Sequence, residues 1–143
     1  MIAEDYLGGF TSGNMVRGRI RGYGLYFTTT RVIGVKRRGR ALAGALVGSA
    51  IGGAIGAMVG QKLSRDEGAK MIQDLDAKKD FDLQKTDLQR IELKKPKWYK
   101  GGHVLFGPKY GDMIKVKVGT KRDFNNLKDL IGRFYPEAMS LTD

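Results

Sequence analysis

Between Tyr6 and Arg65 the chain carries ten arginines and lysines and not one aspartate or glutamate. The ten are Arg17, Arg19, Arg21, Arg31, Lys36, Arg37, Arg38, Arg40, Lys62 and Arg65. Cations at that density neutralise polyanions, so the expected partner is an anionic bilayer surface, or less favourably a nucleic acid; a solvated basic surface is the bland alternative. All of these except Arg31 are candidate contacts for an anionic surface. A second chemical grouping is Trp98-Tyr99 between Lys97 and Lys100. Amphipathic rings among cations suit the headgroup layer of a membrane. They also suit base stacking, and a tryptophan at a sheet edge can equally belong to the core.

Catalytic chemistry finds no foothold. There is no cysteine and only one histidine, His103, so thiolate zinc sites, cysteine nucleophiles and multi-imidazole centres are excluded. Ser12, Ser49 and Ser64 have no recognisable activating partner. Asp80 and Asp82 alternate on a strand pattern and read as solvated edge charges. Gly52-Gly53 lacks the Lys-Ser/Thr ending of a phosphate loop. The expectation is a non-enzymatic chain with no catalytic residues, no metal and no cofactor.

Residues 41–60 hold no charge and a single hydroxyl, Ser49. Gly44, Gly48, Gly52, Gly56 and Gly60 recur every four residues, with Gly53 beside the third, and so form one slowly drifting stripe on a helix. Each glycine costs a helix roughly 1 kcal/mol relative to alanine, so the segment needs surroundings that reward close backbone approach. Lipid or a tightly packed helix partner provides them. The length suffices for one bilayer crossing. Yet if the flanks build one sheet, a single crossing would separate them. The options are then a helical hairpin turning near Gly52-Gly53, a helix lying in the interface, a hairpin packed on protein or in an oligomer, or a true transmembrane helix with the sheet assembled from a partner's strands.

These features require elements to hold them. Residues 1–13 read as a short helix or arm, and 14–38 as a three-stranded meander with a turn at Thr30-Arg31 and Arg17, Arg19 and Arg21 on one face. Ala69, Ile72 and Leu75 mark an amphipathic helix after the glycine segment. Alternation returns at Phe81 and Leu83, at Ile91 and Leu93, and at Ile114, Val116 and Val118. Thr120 with Asp123 forms a capping box for a helix whose stripe is Phe124, Leu127, Leu130, Ile131 and Phe134, ended by Pro136. The organisation is one β domain in two parts, 1–38 and 80–138, with 39–79 inserted between them. Met1-Ile2-Ala3 is followed at once by Glu4 and Asp5, which reads as a cytoplasmic start without a signal peptide.

Three stretches carry a family resemblance. Gly24-Leu25-Tyr26-Phe27-Thr28-Thr29-Thr30-Arg31-Val32-Ile33-Gly34-Val35 resembles a hairpin of GRAM and bacterial pleckstrin-homology-like (PH-like) domains. Thr86-Asp87-Leu88-Gln89-Arg90-Ile91-Glu92-Leu93 resembles one of their later strands, and Asp123-Phe124-Asn125-Asn126-Leu127-Lys128-Asp129-Leu130 their closing helix. The resemblance implies an α+β fold of PH-like antiparallel sheets capped by a C-terminal helix, here with an inserted Gly/Ala-rich helical hairpin or helix. It also implies a binding module for lipid headgroups, peptides or other domains. The resulting expectation is a peripheral membrane adaptor on the cytoplasmic side. The competing expectation is a soluble basic protein-interaction or nucleic-acid-binding module that self-associates through its glycines.

Overall fold

The computed structural model describes residues 4–36 and 65–142. Among them are two helices and ten strands in two sheets, an α+β arrangement. The first sheet holds β1 (Tyr6–Thr11), β4 (Gly24–Thr28), β5 (Arg31–Val35) and β6 (Lys79–Gln84), in that order and all antiparallel. The second holds six strands in the order β10 (Met139–Thr142), β7 (Leu88–Lys94), β8 (Gly102–Pro108), β9 (Ile114–Val118), β2 (Met15–Arg17) and β3 (Ile20–Arg21). Helix α1 (Arg65–Lys78) runs straight into β6, and helix α2 (Lys121–Phe134) follows β9.

Period-two alternation makes each sheet two-faced. Leu25, Phe27 and Val32 of the first sheet and Ile91, Leu93, Val104, Phe106, Val116 and Val118 of the second converge on α2. The helix contributes the expected stripe, with Phe124, Leu127, Leu130, Ile131 and Phe134 all buried. The other face of the first sheet is also covered, because Tyr26, Ile33 and Val35 pack on Met71 and Leu75 of α1. Two glycines make this layer possible. A Cβ on Gly9 or Gly24 would run into the Tyr26 ring, whose hydroxyl meets Thr11 Oγ1 at 2.6 Å. Burial pushes the Tyr26 phenol up to about 12.

Several expectations change. Residues 6–11 are a strand rather than a helix or arm, paired with β4 from Tyr6 opposite Thr28 to Thr11 opposite Gly24. The 14–38 meander is divided between the sheets. β2 and β3 turn at Gly18, where φ is +62°, and join the second sheet, while β4 and β5 belong to the first. That turn ends the common face expected for Arg17, Arg19 and Arg21. Arg31 is the first residue of β5, not part of the turn. The α1 stripe is Gly68, Met71, Ile72 and Leu75, and Ala69 is exposed. Only half of the capping box forms: Thr120 Oγ1 accepts from the Asp123 backbone N–H at 3.2 Å, whereas the Asp123 carboxylate accepts from Ser12 Oγ at 2.5 Å. The sheets are not wholly antiparallel, since β10 follows α2 and lies parallel to β7. The segment 37–64, with the glycine stripe and Arg37, Arg38, Arg40 and Lys62, lies outside the described residues.

Candidate functional site

The outer face of the six-stranded sheet is assembled by register. One row across the strands reads Thr142, Lys94, His103, Lys117, Val16, Arg21, and the row beside it reads Ser140, Glu92, Leu105, Lys115. Lys94, Lys115 and Lys117 come together only because β7, β8 and β9 are neighbours. Past the ends of β7 and β8 the chain closes a tight hairpin, with Lys97 and Lys100 bridged backbone to backbone and Trp98 and Tyr99 at its tip. Trp98 is 94% exposed and Tyr99 63%, their rings edge-on at 75° with centroids 5.2 Å apart. The expectation of a core tryptophan therefore fails. Gly102 holds the neck, where a Cβ would collide with Lys94 O and the backbone of Lys95 and Pro96.

The electrostatics of this corner are one-sided. Lys100, and after it Lys97 and Lys115, push the Lys94 ammonium below its ordinary value. Partial burial, then Lys115 and Lys94, lowers His103, which Glu92 only partly offsets. Glu92 is itself engaged by Arg90 at 3.5 Å. None of Lys94, Lys97, Lys100, Lys115 or Lys117 forms an ion pair with another described residue. Farther along the row, Arg19, Arg21 and Lys117 line an open cleft of about 590 Å³ with Asn14 and Val16. What this surface offers chemically is a high local positive potential, with Glu92, itself engaged by Arg90, as the one carboxylate in its two rows.

The remaining basic residues are used differently. Arg17 pairs with Asp80, and its guanidinium lies over the rings of Phe81 and Tyr23 at 5.2 and 6.0 Å. Tyr23 donates to Asp80 Oδ2 at 2.6 Å, and Lys36 reaches Asp80 Oδ1 at 3.2 Å. Burial alone would raise the Asp80 carboxyl, but Tyr23, Lys36 and Arg17 together hold it below the usual carboxylate range. Arg17 and Lys36 thus spend their charge on the fold, at the last described residue before the glycine segment. Arg65 opens α1.

Arg31 anchors a second ionic cluster. Its Nε donates to Glu4 at 2.7 Å, and Nη1 and Nη2 grip the two Asp76 oxygens at 2.7 Å each, with Nη1 also reaching Asp82 at 2.9 Å. Lys79 bridges Asp76 and Asp82. Asp80 and Asp82 are therefore half-buried partners of cations, which corrects the expectation of solvated edge charges. Arg31 and Lys79 hold Asp76 and Asp82 below their ordinary values. Nothing in the sequence spacing signalled this cluster, because its members come from the N-terminus, β5, α1 and β6. No group of three or more His, Asp or Glu able to hold a metal ion occurs among the described residues.

Residues 32–67 match the glycine-zipper family of the Omp type. The match covers well under half of the chain and characterises that segment, for which it supports association with a membrane. Its limits fall inside β5 and in the first turn of α1. No curated protein and no solved structure matches the chain. No helix among the described residues is long and apolar enough to cross a membrane. The chain thus has an α+β fold with a glycine-zipper segment between its adjacent strands β5 and β6.

Proposed function

We propose that this chain is a non-enzymatic, membrane-associated binding module that uses its glycine zipper to hold a PH-like β domain against an anionic lipid surface. The observation that carries the reading is where the zipper is spliced in. β5 leads into it and α1 leads out to β6, and β5 and β6 are paired, with Ile33 opposite Asp82 and Val35 opposite Lys79. Both flanks consequently stay on one side of any bilayer the segment enters. Close helix contacts along glycines suit a re-entrant hairpin or a helix bedded in the interface, where lipid supplies no competing hydrogen bonds. The exposed cations add attraction to anionic headgroups, up to about 1 kcal/mol per residue at the surface. Two sheets packed around a closing helix support the PH-like reading, and β10 and α1 are the departures from it.

Vesicle flotation tests the proposal. The full chain floats with vesicles containing phosphatidylserine and much less with neutral phosphatidylcholine. Replacing residues 41–60 by a Gly/Ser linker of equal length weakens flotation sharply while the β-sheet circular dichroism persists. Flotation unchanged by that replacement would remove the zipper from the mechanism. Salt-sensitive binding of nucleic acid without flotation would favour the soluble alternative.

A further inference from the structure

We infer that the β7–β8 hairpin is a second membrane-docking point, independent of the zipper, which sets Trp98 and Tyr99 into the headgroup layer of an anionic phospholipid bilayer while Lys94, Lys97 and Lys100 form the collar around them. The inference rests on the membrane reading above and names the folded surface that meets the lipid.

Three observations point to this occupant. First, two adjacent large rings are held out in water, 94% and 63% exposed; Tyr110, at 90%, is the one other exposed aromatic, and it stands alone, whereas the remaining rings are buried or half-buried. Their hairpin is short, closed by the Lys97–Lys100 backbone bridge, and its neck packs too tightly for any residue larger than Gly102. Second, the surrounding lysines have no acidic partner among the described residues, and Lys94 is already repelled by Lys100 and Lys97. A surface rich in phosphate relieves that repulsion, whereas a neutral protein surface does not. Third, the arrangement suits a bilayer better than a nucleic acid. The rings meet edge-on at the end of the hairpin, so they offer no platform for consecutive bases. The sheet face behind them presents Lys94, His103, Lys117, Glu92, Leu105 and Lys115 and no Phe, Tyr or Trp. Strand-binding surfaces instead line up aromatic rings along the path of the bases.

Trp98 is the only tryptophan in the chain, so its emission reports this site alone. The experiment titrates vesicles of phosphatidylcholine with and without one quarter phosphatidylserine into the full chain and into the chain with residues 41–60 replaced by the linker. The Trp98 emission moves to the blue with anionic vesicles in both proteins. It becomes accessible to bilayer-embedded quenchers and inaccessible to iodide. The triple variant Lys94→Gln, Lys97→Gln and Lys100→Gln in the linker chain needs roughly ten- to a hundredfold more lipid for the same shift. The charge-matched control Lys109→Gln, Lys121→Gln and Lys128→Gln leaves the shift in place.

If the full chain floats while Trp98 keeps its aqueous emission, the hairpin inference falls and the zipper reading stands. If the linker chain shifts as well as the full chain and flotation does not depend on 41–60, the zipper reading falls and the hairpin stands. A shift produced by single-stranded RNA and not by vesicles, or an equal loss of shift in the control triple, overturns the inference.

Discussion

Arg31 and the β7–β8 hairpin use the same kind of charge for opposite ends. Around Arg31 two cations face three carboxylates, and the guanidinium is only 10% exposed. Around the hairpin the lysines face one another and the solvent. The first cluster is closed: both of its cations are paired with carboxylates inside the chain, and it ties Glu4, β5, α1 and β6 into one unit. The second is open: none of its lysines forms an ion pair with another described residue. Basic composition therefore divides into cations paired within the fold and cations left facing solvent, and the division follows geometry rather than residue type.

The largest expected effect lies in the closed cluster. Arg31→Met takes from Glu4 and Asp76 their main partner and from Asp82 one of its two. It lowers unfolding free energy by about 3 kcal/mol, the low end for a broken buried pair because the three carboxylates keep some solvent. Urea unfolding at pH 7 measures it, and a midpoint equal to wild type would show that the cluster is ornamental.

Acid should act on the same place. In Glu4, burial raises the carboxyl, but hydrogen bonds from Arg31, Thr28 and Thr30 more than reverse that. The Arg31 hydrogen bonds lower Asp76 directly, and bonds from Lys79 and Arg31 outweigh burial in Asp82. With folded pKa values below the unfolded ones, the unfolded chain binds more protons as acid is added. The stabilisation is complete well above about pH 4 and drains away as pH falls through the folded values. Urea midpoints from pH 6 to 3 should drop more steeply in wild type than in Arg31→Met.

Gly102→Ala tests the neck of the open cluster. The added methyl meets backbone that cannot step aside, so a loss of about 1–3 kcal/mol is expected. A near-ultraviolet change confined to Trp98 would accompany it. The smallest effect belongs to the lysines themselves. Lys94→Gln with Lys100→Gln removes repulsion and no ion pair, so the urea midpoint stays level or rises slightly; a clear fall would mean that these residues have internal partners after all.

Part of this architecture is legible in the sequence itself. The α2 stripe from Phe124 to Phe134 appeared intact, because a 3.6-residue period with Thr120 before it and Pro136 after it leaves little choice. The Lys-Trp-Tyr-Lys grouping was visible as local sequence. The rest depended on pairing. Lys94, His103 and Lys117 share a row only through the β7–β8–β9 register, and Arg31 meets Asp76 and Asp82 only after a separation of 45 and 51 residues. Arg17 looked like a free surface cation until Asp80 arrived beside it from β6. The β1 strand is hidden by Gly8-Gly9, of which Gly9 makes room for Tyr26 rather than for a turn.

The most direct check on the membrane reading concerns sidedness. The chain has no cysteine, so Arg19→Cys before the zipper and Lys78→Cys after it can be made one at a time, both at exposed positions. Each variant is bound to sealed anionic vesicles, recovered by flotation and treated with a membrane-impermeant maleimide. Because β5 and β6 are paired, both positions should react from outside to the same extent. Labelling of one from outside and of the other only after the vesicles are opened would contradict a zipper that begins and ends on one face of the bilayer.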